Sequence, residues 1–120
     1  MILNFEPHRN ISEIKDEFNG MFPFLKLEFF KKSHEETEPS HKKEMIQSDA
    51  EISRISHNKK YGAFNLTPAT TVVGLETALR DEFGLNVQVF RKSGNVWLET
   101  TVTDNLTLQT QNALGEERSV

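Results

Sequence analysis

The chain has 120 residues, of which 36% are hydrophobic and 27% are charged, and its formal net charge is −4. That length and composition are typical of a single soluble domain, and no apolar run approaches the roughly 18 residues of a membrane-spanning helix. The absence of cysteine excludes disulfides, thiolate metal sites and thiol catalysis, and the first residues lack the pattern of a secretion signal, so we expect one cytoplasmic domain over residues 1–120.

The first half of the chain predicts the order strand, helix, strand. Residues 2–6 are β-prone and end at Pro7, which has no amide to donate to a sheet. A helix should follow, with Asn10 as N-cap and Glu13 returning a hydrogen bond to the amide of that cap. The apolar stripe of this helix is Ile11, Ile14, Phe18 and either Met21 or Phe22. Residues 24–32 alternate as a strand, with Leu25, Leu27 and Phe29 on one face and Lys26, Glu28 and Phe30 on the other.

The next segment gives weaker signals. Residues 33–43 are charged, contain Pro39 and carry no apolar side chain, which predicts a flexible surface loop. Residues 44–47 are the expected partner strand in this half. Ser48 and Glu51 have the spacing of a capping box before a short helix that carries Ile52 and Ile55. The sequence leaves open whether residues 48–57 form a helix or a strand.

The second half repeats the same order. Residues 63–66 predict a strand, Pro68 interrupts it, and Thr70 or Thr71 is expected to cap a helix. The apolar stripe of that helix is Val72, Leu75, Leu79 and Phe83. Gly84 should end the helix, because glycine adopts the left-handed conformation without strain. The strand that follows turns Val87 and Val89 to the core, and Gln88 and Phe90 away from it.

A hairpin is expected after this strand, because the compact loop KSGN contains Gly94. The expected register pairs Arg91 with Val96. It places apolar side chains opposite each other, Val89 with Leu98 and Phe90 with Trp97. The last strand should end near residues 103–104. Whether residues 107–114 form a helix or a strand is open, and a helix there would be capped by Thr107 and closed by Gly115.

The two halves align with each other as a tandem duplication. Residues 1–23 superimpose on residues 62–84 without a gap, and residues 25–33 superimpose on residues 85–93, with apolar positions and several identities retained. The sequence therefore predicts an α+β domain in which a β-α-β-β unit with a short helix occurs twice about a pseudo-twofold axis. About six strands and two main helices are expected. The two copies are residues 1–61 and residues 62–120.

The stretch FRKSGNVWLETTVTDNLTLQTQN, residues 90–112, resembles a segment of small bacterial proteins whose domain has no assigned function. With the helix and strand before it, TVVGLETALRDEFGLNVQVFRKSG, the resemblance covers roughly the second half of the chain, and more weakly residues 14–32. It implies a shared fold and carries no activity, cofactor or catalytic residue. Where the resemblance leads us to expect a bulky aromatic residue, this chain has Leu106.

The strongest functional candidate is an aromatic sheet face. Alternation places Phe30, Phe90 and Trp97 opposite the core, and each such ring carries roughly 150–250 Å² that is costly to leave wet. Either short segments of this chain cover the rings, around residues 52–55 or 106–114, or a partner protein or a second copy does. We therefore predict a non-enzymatic protein-interaction domain. The candidate interaction surface is Phe30, Lys31, Lys32, Phe90, Arg91, Lys92, Trp97 and Glu99.

Two other functions remain open. The doublets at residues 31–32 and 91–92 end equivalent strands beside aromatic rings, which is a pattern that binds single-stranded nucleic acid. The acidic net charge disfavours that reading. A metal-dependent enzyme, of the glyoxalase-like kind built from paired modules, is weaker still, because the histidines at positions 8, 34, 41 and 57 fall in predicted loops or a helix end. The sequence assigns no catalytic, metal-binding or cofactor-binding residue and implies no cofactor.

Overall fold

Two antiparallel sheets and four helices make up the part of the chain that the structure describes, residues 1–31 and 44–119 of a computed structural model. The predicted α+β class is confirmed. The predicted loop over 33–43 lies outside the described residues, as does Lys32. In chain order the elements are β1 (Ile2–Phe5), α1 (Ile11–Met21), β2 (Leu25–Phe30), α2 (Ile52–Ile55), β3 (Gly62–Asn65), α3 (Val72–Phe83), β4 (Asn86–Ser93), β5 (Val96–Glu99), a 3-10 turn (Thr101–Thr103) and α4 (Leu108–Arg118).

The strands pair only with antiparallel neighbours within the described residues. β1 pairs with β3 in a two-stranded sheet, where Leu3 lies opposite Phe64. β2, β4 and β5 form a three-stranded sheet in that order, and Glu28 of β2 lies opposite Gln88 of β4. β5 is consequently an edge strand of the larger sheet, with β4 as its neighbour on one side.

One hydrophobic core joins both sheets to the helices. Phe5 of β1 stacks on Phe83 of α3, with ring centroids 5.2 Å apart. Phe18 of α1 is fully buried and lies beside Phe22, so the last position of the first stripe is Phe22 rather than Met21. Each buried side chain of this size contributes roughly 1.5–3 kcal/mol. The remaining core members include Leu3, Ile14, Leu25, Leu27, Phe29, Leu75, Leu79, Val87 and Val89.

The predicted starts of the two main helices are confirmed. Asn10 precedes α1, and Glu13 Oε1 accepts a hydrogen bond from the Asn10 amide at 3.2 Å. Thr71, rather than Thr70, caps α3, and its hydroxyl accepts from the Gly74 amide at 3.0 Å. Gly84 ends α3 with φ +62°, as predicted. Local sequence signals thus specify where α1 and α3 begin and where α3 ends.

The helix starts are also paired with each other by backbone hydrogen bonds. The first amide of α1, on Ile11, donates to the Ala50 carbonyl just before α2, and the first amide of α2, on Ile52, donates to the Arg9 carbonyl, both at 2.9 Å. The same reciprocal pair joins the starts of α3 and α4. There Val72 N–H donates to Leu106 at 3.0 Å, and Leu108 N–H donates to Thr70 at 2.8 Å. Each pair satisfies two amides that lack acceptors within their own helices.

The hairpin register differs from the prediction by two residues. Arg91 lies opposite Leu98, and Ser93 lies opposite Val96, so the connection is only Gly94 and Asn95 rather than KSGN. Gly94 has φ +60°, the conformation that glycine favours at the first position of a tight hairpin turn. A shift of two residues preserves alternation, so Phe90 and Trp97 still share a face.

Three other predictions are corrected. Residues 44–47 form no strand, and Met45 makes a single bridge to Phe30, so the described residues hold five strands rather than about six. Ser48 caps no helix, since Glu51 precedes α2 without a capping side-chain bond. The last strand ends at Glu99 rather than near residues 103–104.

The C-terminal helix is longer than predicted. Thr107 caps it as expected, its hydroxyl accepting from the Thr110 amide at 3.1 Å, but α4 continues past Gly115 to Arg118. Gly115 lies inside the helix, where a Cβ would come within 2.8 Å of Phe24 Cβ and 3.2 Å of Arg91 Cγ. The glycine therefore permits close packing and does not end the helix. Within the described ranges, none of the helices has the length and apolarity to cross a membrane.

Alanine substitution distinguishes this packing role from ordinary helix propensity. We expect Gly115→Ala to lower the free energy of unfolding by about 1–3 kcal/mol, because the added methyl clashes with Phe24. Gly20→Ala in α1 is the matched control, since nothing lies within 4 Å of its added Cβ, and it should stabilise by about 0.5–1 kcal/mol. Urea unfolding measures both. Equal stabilisation by the two substitutions would contradict the packing role.

Candidate functional site

The predicted aromatic face exists as one side of the larger sheet, and we call it the outer face. Cross-strand pairs put Lys26 beside Phe90 and Phe90 beside Glu99. The next pair toward the hairpin is Lys92 with Trp97. These five residues therefore form one contiguous group, and only Phe90, Lys92, Trp97 and Glu99 of that group were predicted for the interaction surface.

Phe30 does not belong to that group. It lies opposite Asn86, while Phe90 lies opposite Lys26, so the two rings are separated by four residues along β2, or about 13 Å. Glu28 and Gln88 lie between them. Phe30 is 3% exposed and Phe90 is 8% exposed, whereas Trp97 is only partly buried. Of the three rings, Trp97 alone presents substantial surface.

Lys26 covers the two rings at the hairpin end of the outer face. Its ammonium lies 5.5 Å from the centroid of Phe90 and 5.1 Å from that of Trp97, within the range of cation–π attraction. The same ammonium is 3.4 Å from Glu28, which also pairs with Lys15 of α1 at 2.8 Å. Sequence alternation placed Lys26 on this face but gave no reason to single it out.

The two basic doublets do not form one patch. Lys31 follows β2, where its amide donates to the Glu44 carbonyl at 2.9 Å, and Lys32 lies outside the described residues. Arg91 and Lys92 are consecutive in β4 and so point to opposite faces. The Arg91 guanidinium faces α4 and donates to Gln111 Oε1 at 3.1 Å. Among Lys31, Arg91 and Lys92, the doublet residues that the structure describes, Lys92 alone joins the group around Trp97.

The outer edge of β5 presents backbone groups that are unpaired within residues 1–31 and 44–119. Because the turn has two residues, Val96 and Leu98 direct their amides and carbonyls toward β4, and Trp97 and Glu99 direct theirs outward. The amide of Lys92, opposite Trp97, accordingly bonds away from β5, to the Phe24 carbonyl at 2.9 Å. Within the described ranges, no backbone group pairs with the outward groups of Trp97 and Glu99.

Exposed apolar side chains accompany that edge. Val96 is 55% exposed and Leu98 is 41% exposed, both on the face opposite Trp97. Val102, three residues beyond the end of β5, is 87% exposed. The equivalent edge of β2 is different, because residues 44–46 bond to it: Ile46 N–H donates to the Phe29 carbonyl at 2.8 Å. β5 is thus an open edge with apolar side chains.

A buried polar cluster lies where β5 has ended and β4 continues. Glu76 of α3 accepts a hydrogen bond from the Val89 amide at 3.0 Å. Thr100 Oγ1 donates to the Val89 carbonyl at 2.7 Å, and Gln88 Nε2 donates to Thr101 Oγ1 at 3.1 Å. Side chains therefore satisfy the part of β4 that has no strand beside it. One sequence signal was available, because Glu76 follows Val72 by four residues and so lies on the buried side of α3.

Burial raises the pKa of Glu76 from 4.5 to about 8, because removing the carboxylate from water disfavours its charged form. The hydrogen bond from Val89 lowers the pKa and the nearby Asp104 carboxylate raises it. Arg80, on the same helix, also lowers it. Glu76 packs against β4, the strand that leads into the hairpin.

The histidines form no shared site in the described residues. His8 Nδ1 lies 3.5 Å from Glu51 at the surface, and His57 Nε2 lies 3.1 Å from the Lys31 carbonyl. His34 and His41 lie outside the described ranges. Among residues 1–31 and 44–119, no group of three or more His, Asp or Glu residues is arranged to hold a metal ion.

Comparison of this chain with protein-family models, with curated proteins and with solved structures gave no match. The resemblance of residues 90–112 to small bacterial proteins therefore stays a prediction.

Stability should depend on pH through Glu76. The unfolded chain loses the Glu76 proton near pH 4.5 and the folded protein near pH 8, so the stabilising contribution present at low pH is lost as pH rises through that interval. The slope is at most about 1.4 kcal/mol per pH unit. Glu76→Gln retains an acceptor for the Val89 amide and does not ionise. We expect this variant to be more stable than wild type above pH 8 and to lose most of the slope.

Chemical denaturation at pH 5, 6.5, 8 and 9 measures this effect. Glu82→Gln is the matched control, because Glu82 lies exposed on the same helix. That control should leave the slope between pH 5 and 8 unchanged. Parallel pH profiles for wild type and Glu76→Gln would contradict the assignment.

Proposed function

We propose that this chain is a non-enzymatic protein-interaction domain that binds an extended partner segment along β5. One observation carries the proposal: β5 ends its sheet with the backbone groups of Trp97 and Glu99 directed outward and unpaired by backbone within the described residues. An incoming strand that pairs with these groups extends the sheet, which is a common way in which domains bind peptides. Without a specific partner, a strand edge flanked by the exposed side chains of Val96 and Leu98 would favour nonspecific association.

The side chains beside the edge suggest how a partner strand is recognised. On the outer face, alternate residues of the partner would contact Trp97, next to the Lys92 ammonium and the Glu99 carboxylate. On the opposite face, the intervening residues would contact Leu98 and Val96. An apolar residue on one face and a charged or aromatic residue on the other therefore match this edge best. This proposal replaces the broader predicted surface that included Phe30, which is buried.

Single-stranded nucleic acid, the second candidate, has less support. Stacking a base on Trp97 or Phe90 requires an open ring face, and the Lys26 ammonium already lies over both rings. The Arg91 guanidinium is engaged with Gln111 on the other face of the sheet. No specific contact in the described residues favours this function over protein binding.

We also propose that the two halves derive from one duplicated unit. The alignment equates Leu3 with Phe64 and Glu28 with Gln88, and each of these pairs lies directly opposite across its antiparallel ladder, as a twofold axis through the pair requires. The paired helix starts provide independent support, because Asn10 bridges Glu51 as Thr71 bridges Thr107. On this view the open edge of β5 is a feature of one copy, and in the other copy residues 44–46 occupy the place of the equivalent third strand.

Selection of random peptides displayed on phage tests the proposed function. We expect selected peptides to bind as extended strands and to slow hydrogen exchange at the amides of Trp97 and Glu99. Glu99→Pro removes one outward N–H without removing a bond to β4, and should weaken binding about tenfold. Glu99→Gln is the matched control, since it keeps the amide and removes only the charge.

Fluorescence of Trp97 reports binding directly, because it is the single tryptophan. Peptides that bind without protecting the β5 amides, or equally well to the Glu99→Pro variant, would overturn the proposal.

A further inference from the structure

We propose that the strand bound along β5 belongs to a second copy of this chain, in an antiparallel register centred on Leu98. The two three-stranded sheets then join into one sheet of six strands across a twofold axis. This inference rests on the proposed function and adds the identity of the partner. Three features of β5 favour this partner: the direction of its backbone groups, the charges beside Trp97 and the exposed Leu98.

Alternate residues of β5 direct their backbone amides and carbonyls toward β4 or away from it, and this alternation restricts how two β5 strands can pair. Outward groups belong to Trp97 and Glu99, so each must face an outward residue of the partner. Three centred registers bring at least one outward residue opposite an outward residue, with the axis beside Trp97, Leu98 or Glu99, and the axis beside Leu98 pairs Trp97 with Glu99 twice. An axis beside Glu99 places two carboxylates directly opposite each other, which is unfavourable.

Charge favours the register centred on Leu98 over the one centred on Trp97. An axis beside Trp97 stacks the two indoles but gathers Lys26 and Lys92 from both copies around them, since each copy holds these cations next to its own ring. An axis beside Leu98 instead places the partner subunit's Glu99 opposite Trp97. Trp97 then lies between this carboxylate and Lys92, whose backbones are two strand spacings or roughly 10 Å apart, a span that the long lysine and glutamate side chains can bridge across the indole, and the Lys26 ammonium lies over the same indole. By symmetry the contact forms twice.

The opposite face is complementary in the same register. Leu98 lies against the partner subunit's Leu98 at a position without cross-strand hydrogen bonds, where side chains approach most closely. Each Leu98 is 41% exposed in the single chain, so pairing removes apolar surface from water. With only four residues in each β5, the interface is small, and we expect a dimer that dissociates on dilution.

Cysteine trapping tests the register cleanly, because the chain has no native cysteine. In the proposed register the two Leu98 Cα atoms lie about 4.5 Å apart, within the span of a disulfide. Leu98→Cys should therefore give a disulfide-linked dimer under mild oxidation. Val96→Cys is the matched control, on the same strand and face and at least as exposed, and its two Cα atoms would lie about 13 Å apart. It should stay monomeric on denaturing gels.

Each outcome of that experiment decides the inference. Linkage of Leu98→Cys alone supports it. Linkage only in a mixture of Leu98→Cys and Val96→Cys would mean that the axis lies at Trp97 and would overturn the proposed register. No linkage in any sample would overturn the proposed pairing of two β5 strands about Leu98. If phage-displayed peptides still bind β5 in that case, the proposed function stands, and if they do not, both fail.

Charge reversal provides a second test that does not depend on oxidation. Glu99→Lys and Lys92→Glu each place like charges at both symmetric contacts, so each variant alone should sediment as a monomer at concentrations where wild type is dimeric. Mixing the two variants restores an opposite-charge pair at both contacts. We expect a heterodimer in the mixture by sedimentation velocity. A mixture that stays monomeric, or single variants that dimerise as wild type does, would contradict the assignment of these contacts.

Discussion

The first backbone amides of a helix have no acceptor within that helix. In this protein the carbonyls just before one helix accept hydrogen bonds from the first amide of its neighbour. α1 and α2 start side by side and exchange backbone hydrogen bonds, and α3 and α4 do the same. The start of α4 is thereby fixed beside Thr70 and Thr71. The chain leaving β5 must reach that point within the few residues from Thr100 to Thr107, so β5 stops at Glu99 and the 3-10 turn crosses back toward β4 and α3. The short, open β5 follows from this constraint.

The same constraint accounts for the buried polar cluster. Residues 100–106 pass the part of β4 that lacks a neighbouring strand, and Val73 N–H donates to the Asp104 carbonyl at 2.7 Å. The amide and carbonyl of Val89 then need partners other than a strand, and Glu76 and Thr100 provide them. A carboxyl group in such a place bonds as an acceptor but is costly to ionise. In the first half, residues 44–46 bond to the equivalent edge of β2, and the equivalent helix position is Lys15, which pairs with Glu28 instead.

Features with a local cause could be predicted from the sequence. The caps at Asn10 and Thr71 and the apolar stripes specified α1 and α3, and alternation placed Phe90 and Trp97 on one face. The hairpin register was wrong because a four-residue loop and a two-residue turn fit the same glycine, and only the two-residue turn matches the observed ladder. Gly115 was misread because a glycine marks either a helix end or a close contact. Three features depend on residues that are distant in sequence, and no local pattern predicts them. They are the paired helix starts, the position of Lys26 over the two rings and the bonding of residues 44–46 to the edge of β2.

Lys26 contributes to keeping β5, the proposed binding edge, ordered in the free chain. A four-residue edge strand ordinarily frays, opening and closing locally while the rest of the domain stays folded. Here one side chain from β2 crosses over Phe90 of β4 and reaches Trp97 of β5, so it spans all three strands. Detaching β5 breaks the contact between this ammonium and Trp97, at roughly 0.5–1 kcal/mol. This contact favours an extended β5 in the free chain, so less conformational entropy of β5 would be lost in the proposed binding than on a frayed edge.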